Sequence, residues 1–402
     1  MIVSLYPGFL RFREQSVKKQ RKTGFFKNRF CFAANCVIIP AALIAEGGVR
    51  LKTVGRLILS AIFAVLTGLC MAVAKSAPDA VFGFYTDFSA RLQARIASVT
   101  GRLPFPLWQI LAVLLLLWLV YTLIRAISRV RIVGWLSGVL LAACVLAFAF
   151  VGLWGLNHFN VPLGQRLGLQ TGSCSRQELF DASVYYAQQA GSLADRMPRN
   201  VEGCTVCAPF ETLAAGADTG YEKLAEEYPF FGGGAHTVKK LLAGGLFSKM
   251  GSTGVYICFT AEPCVNPDTY PVWLPFTMCH ELAHGKSIAA EDEANFCAYL
   301  ACMQSDDVQF RYSGAIAALT YCGNALHQAD PAAWEQLWEQ VHPGVVRDLS
   351  AADAHYAQYE GRVQDAAQQV NDLYLRAFEE TGVQSYGEAA ELLVAWYLQN
   401  RT

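Results

Sequence analysis

Residues 275–285 read PFTMCHELAHG and contain two histidines that flank a glutamate, in the pattern HExxH. His280 and His284 are four residues apart, which is about one turn of an α-helix, so their imidazoles share one face. Pro275 stands where a first-turn proline can begin a helix, and apolar residues surround the motif. The stretch therefore predicts a half-buried helix that presents two imidazoles side by side.

This spacing is typical of a zinc site. Two imidazoles one turn apart can grip a single Zn²⁺, and a glutamate beside them can take a proton from a zinc-activated water. The motif thus predicts His280 and His284 as metal ligands and Glu281 as general base. The alternative is a helix with two unrelated histidines.

A catalytic zinc site needs a third protein ligand and an open position. Six residues, 285–290, separate His284 from the acidic run 291–293. If Gly285 ends the first helix and the chain reverses, Glu291 in the first turn of the returning helix points at the metal. Asn295, one turn later on the same face, is then expected to hold a ligand in place. Glu293 is the rival ligand. The acidic run can also simply stabilise a helix N-terminus.

The residues around the motif predict a mostly helical domain with a small β element. The run 254–260 is rich in β-branched and aromatic residues and predicts a short strand, followed by a proline-rich loop. Helical patterns lie on either side: 175–195, 213–228, 276–302, 313–328 and 351–398, with a break near Gly382.

Several other polar residues are candidates for the cleft. Glu262 and Asn266 follow the strand and either line the cleft or cap a turn. Peptide hydrolysis needs an oxyanion stabiliser, for which Tyr312, Tyr321 and His327 are candidates, although such residues more often pack in the core.

The N-terminal part of the chain predicts membrane spans. Three uncharged stretches, 57–74, 103–124 and 132–156, each approach or exceed the length needed to cross the hydrocarbon core. We therefore divide the chain into a basic extension (1–55), a three-helix membrane region (56–156) and a zincin-like domain (157–402). The apolar patch 31–45 is either a signal-like segment, a fourth span or part of the extension.

Charge predicts the orientation. Residues 1–155 carry a net charge of +14 and residues 156–402 a net charge of −15. Arg125, Arg129 and Arg131 lie between the second and third spans, so this loop is expected in the cytoplasm and residues 157–402 outside it. The acidic half argues against nucleic acid as a partner; the expected partners are the lipid bilayer and a peptide or protein substrate.

Nine of the thirteen cysteines follow residue 156. Cys204 and Cys207 can form a tight disulfide, a redox pair or half a metal knuckle, and Cys258 can pair with Cys264. The cysteines of the motif helices are expected to be buried small apolar residues.

HELAH followed by E-x-x-A-N resembles the gluzincin metallopeptidases, although the gap to Glu291 is shorter than usual there and Asn295 stands in place of an aspartate. The chain is also similar, over about residues 57–398, to a bacterial family of three-span membrane proteins of unknown function. That similarity involves Trp154–His158, Gly254–Tyr256, Phe259–Glu262 and Ser385–Gly387. The resemblance implies a membrane-anchored zinc metallopeptidase; the alternative is a non-catalytic sensor or scaffold with a structural metal site.

Overall fold

A computed structural model describes residues 2–5, 49–378 and 386–401, apart from residues 173, 233 and 235. The chain divides into two compact units. The described residues of one unit, which we call the soluble unit, are 2–5, 74–110 and 153–401. Those of the other, the membrane unit, are 49–73 and 111–152. The basic run and the apolar patch of residues 6–48 lie outside the described residues.

The three predicted spans are confirmed as helices. Among the described residues, three helices are long and apolar enough to cross a membrane, namely α1 (Val49–Ser76), α4 (Leu107–Ser128) and α5 (Ile132–Leu153). Helix α4 begins four residues later than predicted because Pro104 and Pro106 precede it and cannot join a helix interior. These helices expose large apolar side chains along their lengths, as lipid-facing helices do.

The connection between the first two predicted spans, residues 75–102, is helical. The segment forms α2 (Pro78–Ala80), a π-helix (Val81–Thr86) and α3 (Asp87–Thr100). The buried face of α3 consists of Ser89, Gln93, Ala97 and Thr100, so the apolar periodicity that reveals a helix is absent. The segment belongs to the soluble unit, which therefore starts well before residue 157.

The described strands form one mixed sheet in the order β1-β3-β4-β2. Strand β3 (Ser252–Ile257) runs antiparallel to β1 (Ile2–Leu5) and β4 (Glu262–Val265), while β2 (Lys239–Lys240) runs parallel to β4. The predicted strand ends at Ile257, earlier than expected, because the chain turns with Ala261 at φ +50°.

The rest of the soluble unit is helical, as predicted. Its remaining helices are α6 (Leu163–Arg166), α7 (Arg176–Ala194), α8 (Phe210–Gly216), α9 (Thr219–Glu227), α10 (Gly244–Lys249), α11 (Leu274–Gly285), α12 (Glu291–Gln304), α13 (Val308–Ala329), α14 (Pro331–Gln340), α15 (Pro343–Ala357), α16 (Arg362–Ala377) and α17 (Tyr386–Asn400). Short 3₁₀ turns lie at Gly155–Phe159, Pro229–Gly232 and Pro271–Trp273. One apolar core joins α7 to α11, α12, α13 and α17.

The observed ends of the helices agree only in part with the sequence signals for starting and ending a helix. The predicted cap at Ser175 is confirmed as a capping box with Glu178. The predicted helix 213–228 is two helices, broken at Ala217–Asp218. Residues 351–398 break at Gly361, which has φ +158°, between α15 and α16. The break predicted near Gly382 lies outside the described residues.

Candidate metal centre

Helix α11 brings the two histidines of the motif together. The Nε2 atoms of His280 and His284 lie 3.1 Å apart, and both side chains are buried. The Nδ1 of His284 lies 2.8 Å from the carbonyl oxygen of Ile288. Because that carbonyl can only accept, Nδ1 carries the proton and the lone pair of Nε2 faces His280.

The chain reverses directly after the motif, as predicted, but not at Gly285. Gly285 is the last residue of α11, and the left-handed residue is Ser287 at φ +66°. The backbone N–H of Ile288 donates to the carbonyl of Ala283, which closes the helix end. The position of Gly285 favours a glycine because of a neighbouring side chain: an added Cβ would lie 3.1 Å from the ring of His236.

Glu291 is the first residue of α12 and points back at the two imidazoles. Its Oε2 lies 3.3 Å from Nε2 of His280, and its Oε1 lies 3.8 Å from Nε2 of His284. Two ligand atoms about 2.1 Å from a tetrahedral zinc ion are about 3.4 Å apart. The three separations of 3.1, 3.3 and 3.8 Å bracket that value, so this donor set fits one small divalent cation.

Glu293, the rival ligand, points elsewhere. Its carboxylate accepts hydrogen bonds from the backbone N–H of Leu163, at 2.5 Å, and from the guanidinium of Arg166, at 3.1 Å. Among the described residues, the group of side chains that can share a metal ion comprises His280, His284 and Glu291, whose ligand atoms all lie within 4.8 Å of one another.

Glu281 is fully buried beside this cluster. Neither of its carboxylate oxygens has a hydrogen-bond partner among the residues that the structure describes, which is costly for a carboxylate unless something else pairs with it. The carboxylate packs against the backbone of β3 at Gly254, where an added Cβ would lie 2.8 Å from Cδ of Glu281. A glycine at this position therefore makes the room that Glu281 occupies.

The electrostatics of the metal-free cluster follow from burial. Burial, and then the charge of Glu291, raise the pKa of Glu281 well above its usual value. Burial lowers the pKa of His284 to about 3, so its imidazole is neutral at physiological pH, as a metal ligand must be. Burial acts to raise the pKa of Glu291, but the hydrogen bond from His280 and the two imidazoles outweigh it and lower the pKa.

Asn295, the expected supporting residue, is buried one turn after Glu291, but its Nδ2 has no hydrogen-bond partner among the described residues. A contact between Asn295 and a ligand therefore stays a prediction.

The other sequence-predicted cleft residues have partners away from the cluster. Glu262 forms a buried ion pair with Lys239 at 2.5 Å and accepts hydrogen bonds from the backbone N–H groups of Leu107 and Trp108 at the start of α4. Asn266 caps a turn, because its Oδ1 accepts from the backbone N–H of Asp268.

The three candidate oxyanion stabilisers also have other contacts. The hydroxyl of Tyr312 donates to the buried carboxylate of Asp348 at 2.5 Å. Tyr321 packs against Phe276, and the ring of His327 lies edge-on to that of Trp334. The structure does not bring these three residues into the metal cluster.

Sequence reasoning missed an aromatic group on the other side of the cluster. Trp154 is fully buried, donates its indole N–H to the carbonyl of His284 at 3.0 Å and lies edge-on to the ring of His284. His158 contacts Trp154 and lies 2.9 Å from the hydroxyl of Tyr374 on α16. The segment Trp154–His158 was noticed as a family motif, but no spacing rule connects it to residue 284.

Within the described residues all eleven cysteines are free thiols. Neither Cys204 with Cys207 nor Cys258 with Cys264 forms a disulfide. Cys279, Cys297 and Cys302 are buried apolar residues, as predicted.

The fold and the cluster together define a mainly helical protein with membrane-spanning helices and a buried His-His-Glu group. Residues 84–394 match a family described as a protein of unknown function, DUF3810, and the chain belongs to that family. Neither a curated protein nor a solved structure matches it. The expected membership of a family of unknown function is thereby confirmed, over a slightly shorter range than the predicted 57–398.

Proposed function

We propose that this protein is a membrane-anchored zinc metallopeptidase of gluzincin type. The observation that carries the proposal is the convergence of His280, His284 and Glu291 within bonding range of one cation, beside a buried glutamate with no other partner among the described residues. Two imidazoles and a carboxylate are a ligand set of known catalytic zinc sites.

Each residue then has a separate role. His280, His284 and Glu291 would hold the ion, and the hydrogen bond from His284 to Ile288 fixes the orientation of the His284 ring. When bound, zinc lowers the pKa of a coordinated water to about 7 and polarises the scissile carbonyl. Glu281 accepts the proton of the attacking water and passes it to the leaving amine. The apolar surroundings of Glu281 favour that exchange, since they make its neutral form accessible.

A second reading is favoured by burial. At most 2% of any of His280, Glu281, His284 and Glu291 is exposed, which suits a structural metal site in a sensor or scaffold. That reading gives Glu281 no role, whereas the peptidase reading requires an element that covers the site to move for substrate to enter.

Metal content and activity of the full chain, purified in detergent, test the proposal. We expect about one zinc per chain in the wild type and a sharp loss in Glu291→Ala, but retention in the matched control Glu293→Ala. Glu281→Gln should retain zinc and lose cleavage of a fluorogenic peptide library. Zinc retained without any cleavage by the wild type would favour the structural site, and a folded wild type without zinc would remove both readings.

The proposal includes the side of the membrane on which the His-His-Glu cluster lies. The basic flanks of α1 and the arginines between α4 and α5 favour the cytoplasmic side for that end of the spans. Parity then puts residues 75–102 and 157–402 on one side, in agreement with their membership of one compact unit. We infer an extracytoplasmic site at a cell membrane.

A further inference from the structure

The membrane unit contains a cleft that the proposed peptidase does not use. It has a volume of about 840 Å³ and is bordered by four polar or aromatic side chains, Thr53, Tyr121, Thr122 and Trp135, and by five cationic ones: Lys52, Arg56, Arg125, Arg129 and Arg131. We call it the basic cleft.

No acidic residue offsets these charges within the membrane unit. Residues 49–73 and 111–152 contain neither aspartate nor glutamate. Five like charges that converge on one cleft repel one another, and the repulsion is strongest where lipid excludes water. Residues 49–73 and 111–152 therefore supply no anion of their own to the cleft.

Hydrogen bonds between the helices fix part of the basic cleft. Arg56 donates to the carbonyl of Gly134 at 2.8 Å, which joins α1 to α5. Gly138, one turn further, faces the same guanidinium, because an added Cβ would lie in ordinary contact with it at 3.5 Å. Arg56 thus ties α1 to α5 at the cleft.

A second pair of contacts fixes the opposite wall. The indole N–H of Trp135 donates to the hydroxyl of Thr122 at 3.0 Å, which joins α5 to α4. Arg125 lies over the ring of Tyr121 at 5.6 Å and donates to its hydroxyl. Tryptophan and tyrosine are typical of the interface between lipid and water, so the cleft lies at the depth of lipid headgroups.

Its position along the spans agrees with that depth. Lys52 and Arg56 lie in the first two turns of α1, and Arg125, Arg129 and Arg131 lie at the tight connection from α4 to α5, where Val130 has φ +53°. All five cations therefore cluster at one end of the apolar helices. Phosphate is the anion present at this level of every phospholipid bilayer, and arginine binds it with paired hydrogen bonds.

We propose that the basic cleft binds the phosphate-bearing headgroup of an anionic phospholipid. A zwitterionic headgroup brings a cation of its own and does not offset the charge, whereas phosphatidylglycerol or cardiolipin brings one or two net negative charges. The simpler account is that these residues only orient the spans. That account requires no retained lipid and no loss of lipid selectivity when single charges are removed from the cleft.

Native mass spectrometry of the full chain tests the proposal. The protein is taken from nanodiscs of phosphatidylcholine with one tenth cardiolipin, and retained lipid is counted. The triple variant Arg125→Gln/Arg129→Gln/Arg131→Gln should lose cardiolipin retention on the order of a hundredfold, at about fivefold per cation. Arg176→Gln/Lys249→Gln/Arg362→Gln removes three exposed cations of the soluble unit and should retain cardiolipin like the wild type.

The outcomes separate the sources of phosphate. Cardiolipin retained equally by the wild type and the first triple variant overturns the proposal, and so does equal retention of phosphatidylcholine. Displacement of cardiolipin by about 10 mM orthophosphate, a concentration that adds little to the charge screening at physiological ionic strength, would leave a phosphate site but overturn its assignment to lipid. Arg56→Gln, which alters one charge and the contact to Gly134, checks the result if the triple variant fails to fold.

Discussion

Replacing Gly254 by alanine tests whether strand β3 sets the position of the Glu281 carboxylate. The new Cβ would lie 2.8 Å from Cδ of Glu281, whereas carbon atoms in contact are about 3.5–4.0 Å apart. The carboxylate must therefore move by about 1 Å. A misplacement of that size in a catalytic group can lower the rate about a hundredfold, which corresponds to about 2.7 kcal/mol of activation free energy. The ligands lie on α11 and α12, so zinc should be retained.

The assay compares full chains loaded with zinc for turnover of a fluorogenic peptide, and chains loaded with cobalt for their visible absorption, which reports ligand geometry. Gly245→Ala is the matched control, because nothing lies within 4 Å of its added Cβ. Turnover of Gly254→Ala within about twofold of the wild type would refute the reasoning, since the expected loss is about a hundredfold. Loss of zinc, or a changed cobalt spectrum, would also refute it, because it would show that β3 holds the ligands.

Three further predictions concern stability, measured by unfolding of the full chain in detergent. Trp154→Phe removes the donor to the carbonyl of His284 and should destabilise the fold by about 2 kcal/mol; an unchanged midpoint would contradict this. Asp348 is a fully buried carboxylate that accepts hydrogen bonds from the backbone and hydroxyl of Thr205. Asp348→Asn removes its charge and should lower the free energy of unfolding by about 3 kcal/mol. The exposed control Asp195→Asn should change it by less than about 0.5 kcal/mol. Burial, followed by the charge of Lys286, lowers the pKa of His236 to about 4. Between pH 6.5 and 4 the unfolded chain binds a proton that the folded chain does not. The free energy of unfolding therefore decreases as the pH is lowered, by up to about 1.4 kcal/mol per pH unit. His236→Gln should lower the slope by that amount, while His158 and His284, whose pKa values burial also lowers to about 3, keep their own contributions; an equal slope in both proteins would exclude His236 as a source.

Much of the fold could be predicted because its signals are local. The three spans follow from apolar length, and the start of α7 follows from the Ser175 cap. Helix α3 could not be found, since its buried face is polar: Gln93 accepts from the hydroxyl of Tyr256, and Thr100 donates to the carbonyl of Thr260. Those partners lie some 160 residues away in sequence, beyond the reach of any periodicity.

The candidate site was likewise predictable only where its signals are local. The pairing of His280 and His284 follows from helical spacing, and the direction of Glu291 follows from a short reversal. The sequence could not decide between Glu291 and Glu293, because the choice depends on Arg166, which binds Glu293. Glu262 was expected in the cleft because of its place after the strand, but Lys239 and the start of α4 take up its carboxylate, and neither contact is visible in the local sequence.

The discontinuous make-up of the soluble unit has a consequence for its biosynthesis. Helix α3 leaves the ribosome before α4 and α5, yet the partners of Gln93 and Thr100 are made only after both of those helices. The metal cluster therefore cannot be completed while the chain is still being inserted. We expect a nascent chain halted before residue 291 to bind no zinc. Synthesis and insertion of the three spans thus precede completion of the His-His-Glu cluster.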